Sequence, residues 1–132
     1  MTTPKALRLA SLVTAINVLI ASGFSLAAIV RPQYLIPNSV PTNALLIMAM
    51  YAAARTIPLA LFALWAIFNR ATPALLILGT LAGVMQLLDA GIGLYGHDVG
   101  KTAGPLFLAV LQFLAMHLLH RSLQITTQAG RA

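Results

Sequence analysis

The chain has 132 residues, of which 60% are hydrophobic and 8% are charged, and its mean hydropathy is +0.92. Soluble domains carry about 25% charged residues, so this composition indicates one transmembrane domain covering residues 1–132. The formal net charge of +6 does not indicate a nucleic-acid partner, because the eight basic residues are scattered singly and form no stripe. The sequence has no cysteine, which excludes disulfides and thiolate chemistry.

The first apolar segment, at about residues 6–30, follows Lys5 and Arg8. Its apolar tract is longer than the roughly 7–15 residues of a cleavable signal peptide, so we interpret it as an uncleaved first span. The span ends at Arg31-Pro32, because proline disfavours helix at the residue before it. Residues 31–41 hold three prolines and predict a turn-rich connection at the membrane interface.

Three further segments are long enough to cross a hydrocarbon layer about 30 Å thick, at about residues 42–68, 73–95 and 104–121. The short link after residue 68 makes the second and third spans antiparallel neighbours. Residues 96–100 read as a polar turn, and Pro105 as a first-turn proline of the fourth span. The polar tail from residue 122 to 132 is expected to fray.

The distribution of basic residues predicts the orientation of the spans. One side of the membrane receives five of them and the other receives two, which places both termini in the cytoplasm. The sequence thus predicts an all-α, integral membrane four-helix bundle, a multi-pass protein of the inner (cytoplasmic) membrane. The five are Lys5, Arg8, Arg70, Arg121 and Arg131, and the two are Arg31 and Lys101.

Arg55 is the only charge in the second span and lies at its centre. A charge at that depth costs about 2.5–3.5 kcal/mol and usually faces the bundle interior and a partner. Asp89, in the third span, is the only acid in any span. Helical side chains lean toward their own N-terminus, so these two converge in depth from antiparallel helices. The sequence predicts an Arg55–Asp89 pair.

The other spans also place polar side chains near their centres, namely Asn17, Gln86 and Gln112. Such groups are expensive in lipid, so we expect them to meet inside the bundle. Small or polar stripes predict the inward faces of the spans. These stripes are Thr14, Asn17, Ala21 and Ser25 in the first span, Met48, Tyr51, Arg55 and Pro58 in the second, and Gly79, Gly83, Gln86, Ala90 and Gly93 in the third.

No phosphate loop, haem pair or dinucleotide fingerprint occurs, so no cofactor is predicted. His117 and His120 share one face of the fourth span, but no third ligand lies at their depth, and no metal site is predicted.

Three stretches carry a resemblance to a known family: YAAARTIPLALFAL in the second span, GVMQLLDAGIG late in the third, and Lys101-Thr-Ala-Gly-Pro before the fourth. In these the chain resembles the DoxX-like small four-span membrane proteins of bacteria. That resemblance implies a four-span bundle and, from members associated with quinone-linked sulfur oxidation, contact with a lipophilic small molecule.

The leading hypothesis is a site near the midplane that binds a small lipophilic molecule. Arg55 would supply charge and hydrogen-bond donors, and Asp89 would orient the molecule. The cavity would be lined by Asn17, Tyr51, Gln86 and Gln112. The alternatives are a membrane enzyme of isomerase or cyclase type with Asp89 as acid and base, a proton-coupled transporter working as a dimer, and an accessory subunit of a membrane complex. For the polar cluster, purely structural bonding between helices remains open, and so does assembly into a homo-oligomer.

Overall fold

The computed structural model describes residues 3–36 and 39–129, and four helices make up most of this range. Each helix is long and apolar enough to cross a membrane. The described residues contain no strand, so the all-helical prediction with four apolar spans is confirmed. The elements are α1 (Thr3–Val30), a 3₁₀ turn (Pro32–Tyr34), α2 (Asn43–Phe68), α3 (Thr72–Tyr95) and α4 (Val99–Ala129).

The first three helices begin and end close to their predicted boundaries, but α4 is longer at both ends. The predicted frayed tail is wrong as far as Ala129, because this segment packs on the start of α1. Ser122 is buried, and the hydroxyls of Thr3 and Thr126 hydrogen-bond at 3.0 Å. Residues 130–132, which include Arg131, lie outside the described residues, as do Pro37 and Asn38 of the first connection.

The helices pack in the cyclic order α1, α2, α3, α4, and α1 and α3 also touch across the middle. The contact between α3 and α4 is the most extensive and that between α2 and α3 is sparse. We call the end of the bundle with the α2–α3 connection the lower end, and the opposite end the upper end. All four helices meet near the lower end in one apolar cluster, formed by Ala6, Ala10, Ala66, Leu75, Ala115, Met116 and Leu119.

Glycines allow α3 to lie close to α4. A Cβ added at Gly79 would lie 2.8 Å from Gln112 Nε2, and one at Gly83 would lie 3.0 Å from Phe113 Cε1. At Gly93 the added atom would overlap the backbone of Lys101. Small residues that let two helix backbones approach are typical of helix pairs in membranes. The predicted small-residue stripe of the third span is therefore a packing surface for α4.

Pro105 lies inside α4 and not in its first turn, which corrects the prediction. Proline has no N–H, so the carbonyl of Lys101, four residues earlier, loses its partner within the helix. That same backbone segment lies against Gly93 of α3. The break in the hydrogen-bond ladder therefore falls where the two helices come closest.

Two non-glycine residues close the ends of α2 and α3 in left-handed backbone conformation, Arg70 (φ 51°) and His97 (φ 54°). In each case the next N–H donates to a carbonyl five residues back, Ala71 to Ala66 and Asp98 to Gly93. This is the Schellman arrangement, which satisfies the last carbonyls of a helix. It produces the two tight reversals at opposite ends of α3.

Asp98 and Lys101 tie the two upper connections together. Asp98 Oδ1 accepts from the backbone N–H of Lys101 at 3.0 Å and so caps α4. That backbone hydrogen bond, aided by the Lys101 ammonium, holds the pKa of Asp98 below its usual range. The Lys101 Nζ lies 3.3 Å from Asp98 Oδ2 and donates at 2.7 Å to the carbonyl of Leu35, which belongs to the first connection.

Candidate functional site

Four buried polar side chains form one chain of hydrogen bonds at the centre of the bundle. Gln86 Nε2 on α3 donates to Asn17 Oδ1 on α1 at 2.6 Å. Asn17 Nδ2 donates to Gln112 Oε1 on α4 at 3.1 Å, and Gln112 Nε2 donates back to Thr14 Oγ1 on α1 at 2.8 Å. The structure thus brings together the three amides that the sequence predicted, and they lock α1, α3 and α4 to one another.

A separate polar contact joins α1 to α2, closer to the upper end. Thr56 Oγ1 donates to Ser25 Oγ at 3.0 Å, and Ser22 Oγ donates to the carbonyl of Thr56 at 3.2 Å. Ser25 in turn donates to its own helix at the carbonyl of Ala21. These short hydroxyl bonds hold α2 on α1 without reaching α3 or α4.

A narrow cleft lies where α1, α2 and α3 meet. Its cavity volume is about 10 Å³, which is close to the minimum for holding one water. Asp89 lines the cleft and is exposed, so the cleft reaches the outside of the bundle. Its walls are Asn17, Val18, Ala21, Thr56, Leu59, Ala82, Met85, Gln86 and Asp89.

Gln86 connects this cleft to the central hydrogen-bond chain. Its Nε2 is engaged by Asn17, and among the described residues no fully buried side-chain oxygen or nitrogen lacks a partner. Gln86 Oε1 forms no hydrogen bond with another described residue, and Gln86 lines the cleft, so we infer that this acceptor faces it. One helical turn further along α3 lies the carboxyl group of Asp89. The cleft therefore presents two neighbouring oxygens able to accept hydrogen bonds.

The predicted inward face of the second span is wrong. Met48 and Tyr51 are 59% and 69% exposed, and Arg55 and Pro58 are exposed with them. The face of α2 that packs on the bundle consists of small residues, because only these let α2 lie close to α1. They are Ala49, Ala53, Thr56, Ala60, Ala63 and Ala66, with Leu45 at the upper end.

Arg55 and Asp89 do not form the predicted salt bridge. Within residues 3–36 and 39–129, the one salt bridge joins Lys101 to Asp98. Arg55 nevertheless lies within electrostatic range of Asp89, across the sparse contact between α2 and α3. Both side chains are exposed, since Arg55 lies beside the inward alanine face and Asp89 beside the inward glycine face. Asp89 belongs to the wall of the cleft and Arg55 does not.

Of the six predicted site residues, four lie at the cleft or in the network behind it: Asn17, Gln86, Asp89 and Gln112. Tyr51 does not line the cleft, and Arg55 lies outside its walls. The prediction omitted Thr56 and Leu59, which supply the α2 wall. The alanines of α2 recur with the period of a helix, and the face that they mark includes Thr56. This repeat could have predicted the α2 wall from the sequence.

The histidines of α4 are apart from this site. His117 and His120 are exposed near the lower end, and His120 Nε2 lies 2.9 Å from Gln124 Nε2. No group of three metal-ligating side chains occurs among the residues that the structure describes.

No family model matches the chain, and neither a curated protein nor a solved structure does. The similarity to DoxX-like proteins therefore stays a prediction from the three sequence stretches.

Proposed function

We propose that this chain is a multi-pass protein of the inner membrane that binds the polar head of a small lipophilic molecule in the α1–α2–α3 cleft. The observation that carries the proposal is the open cleft with Gln86 Oε1 and Asp89 in its wall. A hydrogen-bonding group on an otherwise apolar wall orients a ligand by its head. The enclosed space is too small for a whole lipophilic molecule, so the cleft holds the head and the tail extends out of it.

The groups at the cleft favour a head that carries hydroxyls. Gln86 Oε1 and the carboxyl oxygens of Asp89 accept hydrogen bonds, and a hydroxyl donates to either. Arg55, within electrostatic range of Asp89, would supply donors for a carbonyl or hydroxyl oxygen on the same head. Quinols and other lipid alcohols belong to this class, which agrees with the association that the DoxX-like resemblance implies.

Native mass spectrometry of the protein purified in mild detergent tests the proposal. We expect a copurifying lipophilic molecule on the wild type and at least tenfold lower occupancy on Asp89→Leu, since a hydrogen bond to a charged group contributes about 1.5–3 kcal/mol. Asp98→Asn is the matched control, because that acid lies in the upper connection, and it should keep the molecule. Equal occupancy on wild type and Asp89→Leu for every copurifying molecule would refute ligand binding.

Asp89 favours one second candidate, a membrane enzyme of isomerase or cyclase type. A carboxyl group at an open cleft, beside a second acceptor and without a salt bridge, could move a proton on a bound hydrophobic substrate. Comparing lipid extracts of cells that express wild type or Asp89→Asn separates the two functions. A product lost in Asp89→Asn while ligand occupancy persists indicates the enzyme, and unchanged lipid profiles exclude it.

The proposed orientation places both termini and the α2–α3 connection in the cytoplasm. Because the sequence has no cysteine, single cysteines report it without background. A membrane-impermeant maleimide added to intact cells should label Val40→Cys, in the first connection, and leave Asn69→Cys unlabelled. The reverse pattern would invert the topology.

A further inference from the structure

The outer face of α2 and α3 carries two opposite charges that are not joined within the chain. Arg55 and Asp89 are both exposed, and neither takes part in a salt bridge within the described residues. If the four helices span a membrane, this face lies in lipid, where charged side chains are rare unless they pair. A protein surface with complementary charges would satisfy both groups better than lipid does.

The two charges lie at the same depth. Leu59 of α2 and Gln86 of α3 line the cleft together. Arg55 precedes Leu59 by four residues and Asp89 follows Gln86 by three, which is about 6 Å and about 4.5 Å of helix rise. Since the helices are antiparallel, both steps lead toward the upper end.

A second copy of the same chain supplies the complement to both charges. A two-fold axis parallel to the membrane normal keeps every residue at its own depth. When two α2–α3 faces meet across that axis, α2 of each copy lies opposite α3 of the other. Arg55 of each copy then faces Asp89 of the other, and both charges are satisfied in one closed, self-complementary contact.

The side chains around the charges suit such a contact. On α2, Tyr51 and Phe62 are 69% and 62% exposed, and on α3, Leu88 and Ile92 are 63% and 68% exposed. Aromatic side chains are enriched at the centres of protein interfaces. In the dimer, these exposed side chains from both copies would therefore surround each charged pair.

We propose that the chain forms a symmetric dimer in the membrane through the outer face of α2 and α3, with reciprocal pairs between Arg55 of one copy and Asp89 of the other. This contact also brings Arg55 of the second copy to the mouth of each cleft. The proposal rests on the membrane insertion proposed above, and it shares Asp89 with the proposed ligand site.

Charge reversal in differently tagged copies tests the dimer. Two tagged wild-type copies coexpressed in cells should copurify. With R55D in both copies, or D89R in both copies, the copurified amount should fall at least tenfold. R55D coexpressed with D89R should recover it, because each of the two contacts between these copies again joins one acid to one base. Arg121→Asp, at the lower end of α4, is the matched control and should associate like the wild type.

The mixed experiment separates pairing between copies from pairing within one chain. If Arg55 pairs with Asp89 of its own chain, R55D holds two acids and D89R two bases, and coexpression restores nothing. That result would overturn the dimer. So would association that R55D leaves unchanged, or a wild type that does not associate. Variants R55Q and D89N repeat the test without charge reversal and should also weaken association, which covers the case that a reversed charge prevents folding.

Gln86→Leu distinguishes this proposal from ligand binding. Gln86 is buried and does not belong to the outer face, so the variant should lose the copurifying molecule and still copurify with a second copy. Loss of the molecule with intact association supports both proposals. Retention of the molecule in Gln86→Leu would refute the ligand site and would not bear on the dimer.

Discussion

Gln112 joins α4 to α1 through both ends of its amide group. It accepts from Asn17 and donates to Thr14, and its side chain is fully buried. Hydrogen bonds between membrane helices contribute about 0.6 kcal/mol on average and up to about 1.7 kcal/mol. Removing Gln112 also leaves the Asn17 amide and the Thr14 hydroxyl without this partner in an apolar surrounding.

Gln112→Leu should therefore lower the free energy of unfolding by about 1–3 kcal/mol, measured by denaturation in mixed detergent micelles. Gln128→Leu, exposed near the end of the same helix, should leave it unchanged. A Gln112→Leu protein as stable as Gln128→Leu would mean that the central hydrogen bonds add nothing net to stability.

The sequence predicts the central amides but not the direction of Arg55. Asn17, Gln86 and Gln112 each interrupt an apolar run near its middle, so depth alone brings them together. The depth of Arg55 along α2 does not determine which side of the helix its side chain occupies. The direction is decided by the small residues of α2 that face α1, and a larger side chain at any of those positions would push the helices apart.

Among the helices, α3 depends most on close approach to a neighbour. Its boundaries, and the glycine stripe that faces α4, follow from the sequence because both are local patterns. The added length of α4 does not, since residues 122–129 mix polar side chains with Leu123 and Ile125 and contact the start of α1. A local sequence pattern cannot predict contacts between residues so far apart in the chain.

Gly93→Ala should destabilise the protein by about 1–3 kcal/mol, because the new methyl group overlaps the backbone of Lys101 and Thr102 on α4. Gly91→Ala provides the matched control on the same helix. A Cβ there meets nothing within 4 Å, so this variant should be neutral, or stabilising by up to about 1 kcal/mol through helix propensity. Unfolding in mixed micelles measures both, and equal stabilities of the two variants would contradict close packing of α3 on α4.

For the molecule as a whole, the interior bonds fall into two groups. The central amides join α1, α3 and α4, while the described side-chain bonds between α2 and the other helices run to α1 alone, through Ser22, Ser25 and Thr56. The α2–α3 contact is sparse. Pro58 also removes a donor from the middle of α2, which leaves the carbonyl of Ala54 without its helical partner.

We expect α2 to be the helix that moves most. Its contact with α3 is sparse, its contact with α1 consists of small side chains and a few hydroxyl bonds, and it could swing about its short lower connection. Opening in this direction would enlarge the cleft without disturbing the central amides. Hydrogen–deuterium exchange in micelles should be faster for the amides of α2 between Ala52 and Leu61 than for those of α3 between Ala82 and Gly91, and equal rates would show that the four helices move as one.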